Sequence, residues 1–280
     1  LVLNIVIILK LLLKGKLNFF NYKKEYLNYV KPKFIITLID NNYSFYNIKK
    51  IYPKAKTIFI QNAHRMKMSD VFSKEIFLKK QKLHVDHMFV FNKFVGKQYN
   101  KFIKGNIHEI GSFISNNKRI MTNIKVREFL YISNYKANEL HEKILPHRTW
   151  KDYFSTEEKL LKNLNIYLTE RKKKIHILGA SRGDSKFHKL EKEYFYSFFS
   201  ENNMKFIEKT LSRDNYKIMD QSHIIIGIDS TLAYESLSRG IKTSFFSVRH
   251  NDKDFYSTKF GWPARLNSKG PFWTDSYSLK

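Results

Sequence analysis

Short, nearly continuous apolar runs recur along this chain, each separated from the next by a longer amphipathic stretch. They fall at Phe34–Ile39, Thr57–Gln61, His87–Phe91, Ile107–Ile110, Phe129–Ser133, Lys174–Leu178, Met204–Ile207, His223–Ile228 and Thr243–Ser247. Runs without strict polar alternation are what strands buried on both faces of a parallel sheet require. The stretches between them predict helices over 44–51, 69–82, 93–103, 156–168, 187–201, 213–221 and 230–239. Ser155 or Thr156 ahead of Glu158, and Asp229 or Ser230 ahead of the last helix, supply caps. Alternating β and α units define a doubly wound α/β protein. Residues 134–155 break the pattern, with Pro146, His141, His147 and Arg148 and no clear period, and read as a loop or hinge. The division into two halves is placed near 125–130, giving domains 1–128 and 129–280.

The chain has 280 residues, enough for one large or two small cores. It has no cysteine, which excludes disulfides and thiolate zinc sites and fits a reducing compartment. Its formal net charge is +26. The excess is uneven: residues 1–128 hold 25 basic and 7 acidic side chains, a net of +18, against 26 and 18, a net of +8, in residues 129–280. Such charge suits an anionic membrane surface, acidic substrates or nucleic acid. The opening LVLNIVIILKLLLKGK is interrupted by Lys10 and falls short of a membrane span, and no small-residue cleavage site follows it. A buried or membrane-surface helix is expected there. The chain opens on Leu1, as a fragment or an unusual start would.

The block HIIIGIDSTLAYESLSRGIKTSFFSV, residues 223–248, carries the strongest local signal for chemistry. A buried strand runs into Asp229, Ser230 and Thr231 and a helix follows. Free first-turn amides and the helix dipole there make an anion site, with phosphate the usual occupant. Glu235, about one turn on, is a candidate acceptor for ribose or sugar hydroxyls. Arg239 and Gly240 close the helix. The same residues also suit an ordinary capped helix with a solvated Glu. After the 174–178 run, Gly179-Ala180-Ser181-Arg182-Gly183 is a small-residue turn whose amides, with Arg182, could hold a phosphate or form a plain strand-to-helix turn.

Two strand ends in the first half are polar: Asp40-Asn41-Asn42, and Gln61-Asn62-Ala63-His64-Arg65. Asp40 or His64 is the candidate general base, and Arg65 a partner for an acidic acceptor or phosphate. Asn41, Gln61, Asn62, Gly111 and Ser112 are candidate cleft residues, or turn formers. Residues 261–274 offer Trp262, Phe272 and Trp273, suited to stacking on a ring or to packing as a structured loop. No paired Asp-x-Asp and no HExxH spacing points to a metal, and none is expected.

The segments ITLIDNNYSFYNIKKIYPKAKTIFIQN, DHMFVFNKFVGKQY, IHEIGSF, ILGASR and IDSTLAYESLSRGIKTSFFSVR together resemble bacterial surface-carbohydrate biosynthesis proteins, over about residues 34–275. These are similar to GT-B glycosyltransferases and, distantly, to the polyglycerol-phosphate polymerases of teichoic acid synthesis. The resemblance implies two Rossmann-like domains facing a cleft. It places Ser230, Thr231, Glu235 and Arg182 at a nucleotide-sugar donor and Asp40 with Gln61-Asn62 at the cleft. It lends His64 the role of base, although Ala63 stands where relatives carry Gly. It also implies that the family continues past Lys280 with a helix crossing back to the first domain.

The expected function is glycosyl transfer from a nucleotide-sugar, as substrate rather than tightly bound cofactor, to a surface polysaccharide or lipid-linked acceptor. The protein would then be cytoplasmic and peripheral on an anionic membrane face. A sugar-nucleotide epimerase or polyol-phosphate transferase would use the same fold. Nucleic-acid binding fits the charge and aromatic content but has no recognisable motif.

Overall fold

The computed structural model describes residues 3–67, 71–72, 80–81, 83–120, 124–181, 185–209, 214–255, 259–264 and 266–277. The chain divides into two compact units. The first is Leu1–Asn62 with Ser69–Phe113, and the second is Ala63–Met68 with Ile114–Lys280. The division thus falls earlier than the 128/129 boundary expected from sequence, and the short piece that carries His64 and Arg65 belongs to the second unit.

In the first unit, helices α1 (Ile5–Leu13) and α2 (Phe19–Val30) precede β1 (Phe34–Thr37), α3 (Ile48–Ile51), β2 (Lys56–Ile60), β3 (Leu83–Val90), α4 (Lys93–Tyr99) and β4 (Ile103–Glu109). The strands form one parallel sheet in the order β1-β2-β3-β4. Phe59, Met88, Val85, Tyr99 and Phe102 are buried in its core, and the rings of Phe59 and Tyr99 meet edge to face at 5.0 Å. Helix α1 packs on α2 through Ile7, Leu11 and Tyr22 but leaves its other side exposed, so it is not the buried helix one sequence reading allowed. No helix among the described residues is long and apolar enough to cross a membrane.

α5 (Phe113–Asn116) spans the division, and the second unit continues with β5 (Arg127–Ile132), β6 (Lys143–Leu145), β7 (Arg148–Thr149), α6 (Trp150–Ser155), α7 (Glu158–Glu170), β8 (Ile175–Leu178), α8 (Ser185–Tyr196) and β9 (Met204–Ile207). It ends with α9 (Asn215–Asp220), β10 (Ser222–Gly227), α10 (Thr231–Ser238), β11 (Lys242–Phe246), β12 (Lys269–Gly270) and β13 (Trp273–Thr274). The large sheet has the order β12-β13-β11-β10-β5-β8-β9, parallel from β13 through β9. The chain winds outward from β5 through β8 to β9, then returns beside β5 and winds the other way through β10 and β11. The winding therefore reverses between β5 and β10, and the C-terminal ends of those two strands border the crevice where doubly wound sheets bind ligands.

Alternate residues of β5 explain the unbroken apolar runs. Phe129 and Tyr131 join a core with Leu160, Leu161 and Leu164 of α7 and Phe195 of α8, while Leu130 and Ile132 join another with Met219 of α9 and Ala233 of α10. Both sheet faces are covered. Helix α10 lies close on β10: a Cβ at Gly227 would stand 2.6 Å from that of Ala233. Gly240, at φ 77°, ends the helix in the left-handed conformation that Gly adopts without strain.

Every apolar run predicted as a strand is one, with ends moved by a few residues. The 69–82 helix falls largely outside the described residues. Residues 134–155, expected as loop, instead hold the β6–β7 hairpin and α6. Thr149 and Asp152 close a reciprocal capping box at the start of α6, satisfying two backbone donors. The hydroxyls of Ser155 and Thr156 turn back onto the carbonyls of Asp152 and Tyr153, so neither caps α7, whose N-cap is Glu157.

Candidate functional site

The site is built at the C-terminal ends of β5 and β10 in the second unit. Ser230 is the N-cap of α10, with extended backbone (φ −70°, ψ 134°) and no side-chain capping bond. Its carbonyl receives the amides of Ala233 and Tyr234. The amides of Thr231 and Leu232 precede any acceptor inside the helix, as at every helix start. Thr231 Oγ1 accepts the backbone N–H of His64 at 2.9 Å. The His64 imidazole stacks on Tyr234, centroids 4.3 Å apart and planes 28° apart. Burial pushes the imidazole pKa down to about 4, with Asp229 opposing the fall and Arg65 adding to it. His64 is therefore neutral at neutral pH and offers a lone pair rather than a charge. Sequence reasoning placed it among first-half residues; the fold brings it to the start of α10.

Asp229, expected beside a donor, points inward. Its carboxylate accepts hydrogen bonds from Asn134 Nδ2 and the Tyr153 hydroxyl and pairs with Arg249 at 3.1 Å. Arg249 is fully buried and also pairs with Glu157 at 2.7 Å, and its Nε donates to the Tyr153 carbonyl at 3.3 Å. Glu157 in turn accepts from the hydroxyls of Tyr131 at 3.1 Å and Tyr194 at 3.4 Å. One cation between two carboxylates thus ties the ends of β5 and β10, the start of α7 and the turn after β11 together. Asp229 anchors the loop that Ser230 and Thr231 stand on, rather than facing the open edge.

Desolvation pushes the Glu157 carboxyl up to about 7; Arg249 opposes the rise and Asp229 adds to it. The native state therefore holds a proton that the unfolded chain releases near its ordinary value. Stability from this group is present at low pH and lost as pH rises from about 4.5 through about 7. Relative to a Glu157→Gln variant, the unfolding free energy of the wild type is expected to fall by about 2 kcal/mol between about pH 5 and pH 7, as read by urea titration. A constant difference between the two proteins would contradict the raised value.

The turn after β8 has its amides occupied. Ala180 N and Ser181 N each donate to the Glu191 carboxylate at 2.8 Å, and Ser133 Oγ donates to it at 2.6 Å. Glu191 and Ser181 are both buried. A side chain of the protein holds the place where the sequence suggested a phosphate, which corrects that reading of Ser181. Arg182 lies outside the described residues. Glu235 is buried on α10, and its carboxylate accepts the Tyr216 hydroxyl at 2.9 Å. Arg239, at the end of the same helix, forks onto Asp220 at 2.6 and 2.8 Å and donates to the carbonyls of Ser115, Lys118 and Arg119.

The remaining candidates, Arg65 apart, lie in the first unit. Asp40 is fully buried, not open at a strand end: its carboxylate accepts the Tyr99 hydroxyl at 2.5 Å and its carbonyl that of Tyr46 at 2.7 Å. A carboxylate enclosed in this way is a strut between elements, which corrects its reading as a base. Gln61 is likewise buried. Its amide donates to Phe89 O at 2.8 Å and its Oε1 accepts Phe91 N at 3.0 Å, so it joins the ends of β2 and β3 rather than lining a cleft. Asn41 lies exposed in a turn, Asn62 has a buried Oδ1 with no hydrogen-bond partner, and Gly111, at φ 68°, turns the chain ahead of Ser112. Arg65 lies with His64 in the second unit. Trp273 stacks on Phe260 at 5.2 Å, so the aromatic C-terminal stretch packs as a structured loop.

The residues that sequence reasoning missed are Arg249, Glu157, Asn134, Tyr153 and Glu191. Arg249 lies one residue past the 223–248 block, and nothing in its neighbours distinguishes it from the other basic residues. A groove of about 640 Å³ between α7 and the 269–276 segment is lined by Phe129, Leu164, Tyr167 and Trp273 and lies away from Ser230, so it is not part of this site. Among the described residues no group of three or more His, Asp or Glu is placed to hold a metal ion.

The fold and this edge define an α/β protein of the doubly wound class. Residues 58–279 match the family described as "putative O-antigen biosynthesis protein". The chain belongs to that family. No curated protein matches it. Among solved structures it is similar to the Gap123 glycosylation-associated complex of Streptococcus agalactiae, at 12% identity over 86% of this chain and 52% of that one, TM-score 0.43. It is also similar to a glycosyltransferase of Rickettsia africae, at 13% over 87% and 63%, TM-score 0.45. A third is the UDP-GlcNAc 2-epimerase of Methanocaldococcus jannaschii, at 12% over 81% and 64%, TM-score 0.46. The chain spans between about half and two thirds of the length of these structures.

Proposed function

We propose that the protein is a glycosyltransferase of O-antigen assembly that receives the phosphate of a nucleotide-sugar at the start of α10 and passes the sugar to a glycan or lipid-linked acceptor. The observation that carries this reading is the arrangement at Ser230 and Thr231. A cap residue without a side-chain capping bond opens a helix at the C-terminal edge of a parallel sheet, one residue past the strand-order reversal's own Asp229. Free first-turn amides and the helix dipole favour a dianionic group there. Glu235, oriented by Tyr216, is assigned to hydroxyls of the donor. His64 stands against α10 and is assigned to accept the proton of the attacking hydroxyl, its pKa, lowered by burial, being raised toward neutrality by a donor phosphate bound beside it.

Ser230→Ala combined with Thr231→Val is expected to weaken donor binding about tenfold while leaving the melting temperature in the absence of ligand within a few degrees. The check is a thermal-shift titration with UDP-, GDP-, CMP- and CDP-linked sugars, in which bound ligand raises apparent stability by mass action. Labelled donor then separates the chemistries. Nucleotide released only in the presence of acceptor supports transfer; an isomerised sugar formed without acceptor would replace this reading with epimerisation. Donor affinity unchanged in the double variant would show that neither hydroxyl helps to hold the donor.

A further inference from the structure

We infer that the tip of the α1–α2 hairpin is a docking surface for anionic lipid headgroups. This goes beyond the proposed transfer reaction and does not depend on it. Helix α1 is apolar on both sides. Ile7 and Leu11 face Tyr22 of α2, while Ile5, Val6, Leu9, Leu12 and Leu13 point away from it, Ile5 at 71% and Leu13 at 90% exposure. The exposed stripe runs onto the tip, where Phe19 and Phe20 stand 69% and 59% exposed. Apolar side chains so concentrated on a water-facing ridge mark an interaction surface rather than the scattered exposure of ordinary surfaces.

The tip is held in this shape by its own backbone. Gly15 N donates to Leu12 O and Lys16 N to Leu11 O, both at 2.9 Å, with Gly15 at φ 60°, which is the glycine stop of α1. Asn18 caps α2 by accepting Asn21 N at 2.8 Å, and Asn21 Nδ2 returns to Lys16 O at 2.9 Å. The Asn4 amide donates to the Tyr22 hydroxyl at 2.7 Å, tying the far end of the hairpin. Leu13, Phe19 and Phe20 are thus presented by a closed turn and not left out by a loose one.

Charge selects the occupant. Lys14 and Lys16 sit exposed at the tip itself, and Lys24 stands exposed on α2. The nearby acid, Glu25, is bound to Lys10 at 2.7 Å. An apolar ridge rimmed by lysines matches the interfacial depth profile of an anionic bilayer. Leucine and phenylalanine enter the acyl boundary, and the lysine stems reach back so that their ammonium groups meet lipid phosphates. Each such lysine adds to the attraction exerted by an anionic leaflet. α1, at nine residues, lies along the interface and does not span it.

The test is sedimentation of the full chain with phosphatidylglycerol-containing vesicles and with pure phosphatidylcholine vesicles. The wild type is expected to bind the anionic vesicles at least about tenfold more tightly, and added salt should release it. Lys14→Glu with Lys16→Glu should lower that affinity about tenfold or more. Leu13→Asp with Phe20→Asp should lower it to a similar extent through the apolar term, with an unchanged melting temperature because both positions are already solvent-exposed. Equal binding to both vesicle types, or affinity untouched by either pair of changes, overturns the proposal. Light scattering decides a competing occupant: if Leu13→Asp with Phe20→Asp converts a dimer to a monomer and leaves vesicle binding as it was, the ridge is a self-association surface and not a lipid one.

Discussion

Replacing Arg249 with leucine is expected to cost about 3–5 kcal/mol of stability, the penalty typical of breaking a buried ion pair by removing one partner. The side chain is completely enclosed, and its two carboxylate partners, Glu157 and Asp229, would be left in the interior with no cation between them. The hydroxyls of Tyr131, Tyr153 and Tyr194 would still donate to them, but hydroxyls offset only part of an uncompensated charge. Arg249→Lys should recover a minor share, because an ammonium lacks the planar fork that reaches two carboxylates at once. Combining Arg249→Leu with Glu157→Gln and Asp229→Asn should recover most of the loss, since no charge then remains to be desolvated. Urea unfolding of the four proteins checks the series. A loss below about 1 kcal/mol for Arg249→Leu, or no recovery in the triple variant, would show that the ion cluster does not hold this corner.

Glu191→Ala is expected to destabilise by about 3 kcal/mol, since it leaves the amides of Ala180 and Ser181 and the hydroxyl of Ser133 without their shared buried acceptor. A second readout separates this from simple loss of packing. The emptied place should accept a small carboxylate, so formate should raise the melting temperature of Glu191→Ala more than that of the wild type, by mass action on a site the native chain fills itself. Equal responses to formate would mean that the turn rearranges on losing Glu191. The contrast with α10 is instructive: two strand-to-helix turns on one sheet edge expose backbone donors, one satisfied from within the fold and the other opened by a cap with no side-chain bond of its own.

The architecture was legible because a parallel sheet covered on both faces imposes unbroken apolar runs, and residues such as Leu130 and Tyr131 must both be apolar for opposite reasons. The strand of each run and the cap at Ser230 followed from local pattern. Side-chain direction did not. Asp229 and Ser230 are neighbours, and both read as donor contacts, yet one turns inward to Arg249 and the other opens the helix; that choice is fixed by an arginine twenty residues on and by Asn134 at the end of another strand. Asp40 and Gln61 read as cleft residues because polar groups at strand ends so often are. Their burial depends on Tyr99 and on the end of β3, contacts remote in sequence. The β6–β7 and β12–β13 pairs are too short for any periodicity to register.

The excursion of Ala63–Met68 into the second unit has a consequence for how the protein can be taken apart. A fragment cut at residue 114 would carry the whole of α10 and its sheet but would lack the amide that Thr231 receives and the ring that covers Tyr234. Neither half is whole as a continuous stretch of sequence, so exchanging one half for that of a relative would have to carry this six-residue piece across separately.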